Sequence, residues 1–159
     1  MRHFATVGLI AGVLASAVGL CGTLASAEDA PPVIKERQSL MKQQAAGLKV
    51  IQGYVSGQTD QATAMATVTE LMALPAKITG LFPAGTGAAE FPSATHAKPE
   101  VWAQWDRFKD IPGALQRAEE QLAAAIKAGR KQNVLDALDT VGRTGCGACH
   151  TFFRAPLTE

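Results

Sequence analysis

Val141-Gly142-Arg143-Thr144-Gly145-Cys146-Gly147-Ala148-Cys149-His150 ends the last helical segment of this chain. Within it, Cys146 to His150 is a C-x-x-C-H sequence, the attachment signature of a c-type haem. Two thiols add across the vinyl groups of the ring and fix it covalently. His150 then lies close enough to put an imidazole nitrogen on the iron. Two plainer readings compete. A C-x-x-C can be half of a zinc site, but a tetrahedral site needs four ligands. His3, His96 and His150 would have to supply the other two, because Cys21 is the remaining cysteine. A C-x-x-C can also be a dithiol redox pair. That reading expects a βαβ context, whereas this motif stands near the C-terminus of a chain with no strand pattern.

Upstream of the motif the periodicity is helical throughout. Alanine is abundant and β-branched residues are sparse, which favours helix. A first segment is expected from about Pro32 to Val55. Pro31-Pro32 suits a helix start, and Ile34, Met41, Leu48 and Ile51 recur on one face with Ala45 between turns. Gly53 and then Ser56-Gly57 end it. A second runs from about Asp60, a good N-cap, through Val68, Leu71, Met72 and Ile78 to Leu81. Pro75 should kink or split it. A loop rich in Gly, Ala, Pro, Ser and Thr covers Phe82 to Lys98. A third segment spans about Pro99 to Ala128, with Val101, Trp102, Trp105, Phe108, Leu115, Leu122 and Ile126 on its apolar face. Pro112-Gly113 predicts a second kink. The fourth begins near Lys131 and carries Val134, Leu138 and Val141 into the haem motif. Gly142, Gly145 and Gly147 are poor helix formers there, and close approach of a haem is a reason to tolerate them. Four amphipathic helices with mostly short connections read as an all-α, antiparallel four-helix bundle with a covalently attached haem.

The N-terminus reads as a secretory signal peptide over residues 1–27. Met1-Arg2-His3 is a short basic start, Ala5 to Leu20 is an apolar run, and Ala25-Ser26-Ala27 is an A-x-A cleavage site before Glu28-Asp29. The apolar run is borderline in length for a membrane span, so no stable anchor is expected after cleavage. Leu20 is too large for the usual lipidation pattern before Cys21. Residues 28–159 then form one domain able to build its own core. With Arg2 removed, the 15 basic residues drop by one to match the 14 acidic ones. That balance argues against nucleic-acid binding and against strong electrostatic steering of a partner.

These features resemble the class II cytochromes c, the cytochrome c′ family, in which the C-x-x-C-H motif sits near the C-terminus. Val33-Ile34-Lys35-Glu36-Arg37-Gln38-Ser39-Leu40-Met41-Lys42 resembles the family's opening helix. Ala73-Leu74-Pro75, Leu81-Phe82-Pro83 and Lys98-Pro99-Glu100-Val101-Trp102 resemble its middle. Val141-Gly142, Cys146 to His150 and Phe153-Arg154 resemble its end. The resemblance implies thioether bonds at Cys146 and Cys149 of one haem c, with His150 as the proximal iron ligand. It sets Arg154 near the proximal face, with a solvated terminal arginine as the alternative. It sets Arg37 and Gln38 beside the ring and its propionates, with an ordinary exposed charge as the alternative for Arg37. Phe82 either packs on the ring or is plain core. The resemblance also implies a homodimer through the first two helices.

Met41 falls at the family position that faces the iron on the distal side. In five-coordinate members this position usually carries a bulky non-ligand such as Leu, which leaves iron open to nitric oxide or carbon monoxide. In a low-spin branch a methionine here is the sixth ligand, and a His/Met pair raises the potential. Leu40-Met41-Lys42 resembles that low-spin branch, so the expectation is an exported, periplasmic monohaem carrier of single electrons between redox partner proteins. The alternative is a five-coordinate gas-binding protein, with Met41 as core filling. His96 reads as solvated, Met65 and Met72 as core, and Arg117, Glu119 and Glu120 as a solvated charged face. An enzyme is not expected: the chain shows no nucleophile–base constellation, phosphate loop or further metal motif.

Overall fold

The computed structural model describes residues 30–156, so the leader at 1–27 and Cys21 lie outside the described residues. Helix α1 is Pro32–Ser56, with Pro32 in its first turn, where a missing N–H costs nothing. Gly57, in left-handed conformation at φ 82°, ends it. Helix α2, Gln61–Leu71, is capped as expected: Asp60 Oδ1 accepts from Thr63 N at 2.7 Å. Pro75 splits the second segment rather than bending it. It has no N–H for the Leu71 carbonyl, which accepts from Leu74 N at 2.9 Å instead. Pro75 then opens the short helix α3, Pro75–Ile78, which tightens into a 3-10 turn at Thr79–Leu81.

The third segment breaks at Gln104 (φ −119°, ψ 43°), which separates α4, Glu100–Ala103, from α5, Trp105–Ala128. The helix is not interrupted at Pro112, which is buried inside α5. Packing on both sides of α5 outweighs the one backbone bond that proline removes. The fourth segment is α6, Lys131–Thr140, then a π-helical turn, Val141–Gly147, then α7, Ala148–Phe153. The π-helical turn was not foreseen.

Helix α1 packs against α2 and α6, while α5 packs against α2, α6 and the π-helical turn, which closes the bundle. The core holds Ile51, Val68, Phe108, Leu122, Ile126, Val134 and Val141, each almost fully buried. Two expectations change here. The buried stripe of α1 is Ile34, Arg37, Leu40, Gln44, Gly47, Ile51 and Tyr54, with Met41 and Leu48 only half-buried beside it. And Glu119, expected on a solvated face, is fully buried. It shares a helical face with Leu115, Leu122 and Ile126, and helical spacing outweighs its neighbours' charge.

Gly145 is explained by helix packing rather than by a cofactor. A Cβ built on it would stand 2.5 Å from Leu115 Cδ1 of α5. The glycine lets the π-helical turn rest directly on that helix.

Candidate haem site

One cavity of about 580 Å³ gathers most of the expected residues. Its lining includes Arg37, Gln38 and Met41 from α1, Phe82 from the loop after the 3-10 turn, and Cys149, His150 and Arg154 from the end of the chain. Cys146 is half-buried in the π-helical turn and is not among the lining residues. It stands one turn before Cys149, the i, i+3 relation that puts both thiols on one helical face. Several lining residues were not expected at the site, among them Lys42, Thr95 and Ala97; His96 is exposed, as expected, yet also borders the cavity.

The loop from Phe82 to Lys98 is fastened to the end of α7. Lys98 N donates to Phe153 O at 2.9 Å, and Ala155 N donates to His96 O at 2.8 Å. Ala97 and Arg154 form an antiparallel bridge. The loop therefore holds Thr95, His96 and Ala97 at the cavity beside the haem motif.

Arg37 fastens the loop from the other side. It is buried, which removes the alternative reading of an ordinary exposed helix charge. Its Nη2 donates to Thr86 O and to Thr95 Oγ1, both at 2.9 Å. Longer contacts from Nη1 reach Leu81 O at 3.4 Å and Thr86 Oγ1 at 3.5 Å. The guanidinium also lies over the Phe82 ring, 4.4 Å from its centroid. All these acceptors are neutral. Gln38 acts similarly, its Nε2 donating to Ala94 O at 2.8 Å.

Phe82 is part of the aromatic core and stands at the cavity where a ring would lie. Its ring lies edge-on to Phe108 at 4.7 Å between centroids. Phe108 meets Phe153 at 5.4 Å, so the cavity floor is aromatic.

The donor chemistry fits a covalent haem. Both described cysteines are free thiols. Burial pushes Cys146 up and Cys149 up to about 11, the opposite of the lowered value that a nucleophilic dithiol pair requires. Burial, then the Arg154 charge, lowers His150, which favours the neutral imidazole that binds iron. Val101, Phe108 and Phe153 give a flat ring an apolar bed, and Lys42 and Arg154 bring positive charge suited to ring carboxylates. Among the described residues no cluster of three or more His, Cys, Asp or Glu could hold a metal ion, so the zinc reading gains nothing.

Residues 32–154 match the family model described as Cytochrome C′. The chain belongs to the cytochrome c′ family. Cytochrome c′ of Rhodospirillum rubrum is 32% identical over 140 residues, which span 84% of this chain and 88% of that protein. Among solved structures, a ferrous cytochrome c′ variant from Alcaligenes xylosoxidans with bound NO superposes with a TM-score of 0.67 at 30% identity. That match covers 84% of this chain and 99% of the other. A carbon monoxide-bound variant from the same organism gives a TM-score of 0.66 at 31% identity, over 83% and 98% of the two chains.

As a family member the chain is a four-helix bundle carrying covalent haem c. In this cytochrome c′, Cys146 and Cys149 would be the residues to hold the ring and His150 the residue to hold the iron. The haem supplies an iron centre that changes oxidation state and takes axial ligands. The chain's own part is to orient His150 from α7, to close one wall with the loop that Arg37 fastens, and to line the bed with apolar side chains that limit water.

Proposed function

We propose that this cytochrome c′ binds a small diatomic gas, nitric oxide or carbon monoxide, at a five-coordinate haem iron held by His150. The sequence alone favoured a His150/Met41 carrier of single electrons, and the comparisons lend the gas-binding alternative more support. The observation that carries the reading is the match of nearly the whole described bundle to cytochromes c′ that hold NO and CO. Met41, half-buried on the α1 wall of the cavity, then shields the open side of the iron without ligating it. Arg37 and Gln38 hold the wall rather than reach the gas, because the loop takes their donors.

The electron-carrier reading keeps one supporting observation: Met41 and His150 border the same cavity from different helices. A thioether that closed on the iron would complete a His/Met pair. Export to the periplasm through the leader at 1–27, and a homodimer through α1 and α2, belong to the same proposal. Among the described residues no helix is long and apolar enough to cross a membrane.

Optical spectra of the matured protein, oxidised and reduced, decide between the readings. High-spin bands that shift on adding carbon monoxide support an open iron. Low-spin bands, a methionine–iron charge-transfer band in the oxidised form and no response to carbon monoxide would overturn it in favour of Met41 ligation.

A further inference from the structure

Glu119 is fully buried in α5. Its Oε1 accepts from Gln44 Nε2 of α1 at 2.8 Å. Its Oε2 has no partner, and neither has Gln44 Oε1. Two orphaned acceptors on one hydrogen-bonded pair are costly in a dry core. A single proton removes both faults. Placed on Glu119 Oε2, it makes that oxygen a donor, and Gln44 Oε1 is the acceptor it needs. Acid and amide then bond reciprocally.

The pair sits close to the haem-binding parts. Gln44 adjoins Ala45 and follows Met41 by one turn, and both of those border the cavity. Glu119 lies one turn beyond Leu115, on which Gly145 rests, and Cys146 follows Gly145 directly. We propose that Glu119 is a proton-binding site of this cytochrome, sharing its proton with Gln44 and coupled to the oxidation state of the haem iron. The proposal needs the bound haem but holds whether or not Met41 ligates.

Burial pushes the Glu119 carboxyl up to about 7, with the Gln44 N–H pulling the other way. Among the described residues, no charged side chain is hydrogen-bonded to Glu119. Gln44 on α1 is neutral, the buried residues of α2 are Ala64, Val68 and Leu71, and that of α6 is Val134. From the π-helical turn the titratable group coupled to Glu119 is the Cys146 thiol, which a thioether bond would make non-titrating.

Reduction adds one electron to ferric iron from an external one-electron donor, and one proton from solvent joins the Glu119 carboxylate. Oxidation reverses both. An anionic Glu119 favours the more positive ferric state, so the potential falls as pH rises through the Glu119 value. A tenfold difference in proton affinity between the two oxidation states corresponds to about 59 mV.

The experiment is a potentiometric titration of the matured holoprotein and of Glu119→Gln from about pH 5 to about pH 9, bracketing the shifted carboxyl. Redox-difference infrared spectra of both proteins accompany it. The expected result is a pH-dependent step near neutrality that the variant lacks, with a protonated-carboxyl stretch present in the parent and missing from the variant. An unchanged pH profile in Glu119→Gln would overturn the proposal. If the variant yields no holoprotein, the parent's spectra in light and heavy water decide alone, and the absence of a deuterium-sensitive carboxyl stretch overturns it.

Discussion

Gly145 and Leu115 meet so closely that no side chain fits between them: a Cβ on Gly145 would lie 2.5 Å from Leu115 Cδ1, 3.1 Å from its Cβ and 3.2 Å from its Cγ. The contact seats the π-helical turn on α5 and so sets where Cys146 begins the haem motif. Gly145→Ala must push the turn outward, an overpacking cost of about 1–3 kcal/mol. Thermal unfolding should show the loss and Leu115→Ala in the same chain should recover part of it. Full additivity of the two substitutions would contradict a direct clash.

Arg37 is a structural clamp. Arg37→Met should strand Thr86 O, on a buried residue, at about 1–3 kcal/mol, whereas Thr95 Oγ1 keeps the Ala97 N–H at 3.2 Å. Hydrogen exchange should rise across residues 82–98 before it rises in α2. Uniform loosening of the bundle would mean that the arginine does not act through the loop.

Replacing Cys146 and Cys149 together with Ala should abolish haem staining after denaturing electrophoresis, since only covalent haem survives that treatment. His150→Ala should keep the stain and lose the normal axial-ligand spectrum. A His150→Ala protein with unchanged spectra would remove His150 from the iron.

Glu119 also predicts a pH dependence of stability. Its folded value of about 7 lies above the ordinary 4.5, so the native state holds the extra proton between those limits. This contribution is fully present below the unfolded value and is lost as pH rises through the folded one. The loss is on the order of 3 kcal/mol. Glu119→Gln should flatten the decline in melting temperature between about pH 5 and about pH 8. A decline of the same size in the variant would assign it to other groups.

Much of the bundle was legible because local rules and global packing agree. Pro32, Gly57, Asp60 and Pro75 mark helix limits through backbone and capping chemistry that acts wherever those residues stand. The haem motif was equally plain, because C-x-x-C-H places two thiols and an imidazole within two turns of one helix. Tertiary structure decided what spacing cannot rank. Arg37, Gln44 and Glu119 occupy buried helical positions although their side chains are polar. Their partners come from 44 to 75 residues away along the chain, at Leu81, Thr86, Thr95 and between Gln44 and Glu119. The helix persists at Pro112 because packing from neighbouring helices outweighs one lost hydrogen bond. The close seat of Gly145 likewise depends on Leu115, a residue of a different helix. Sequence determined which segments become helices and where the C-x-x-C-H motif stands among them. Only the packed bundle decided which polar groups lose their water, because burial is a property of the neighbours each helix finds.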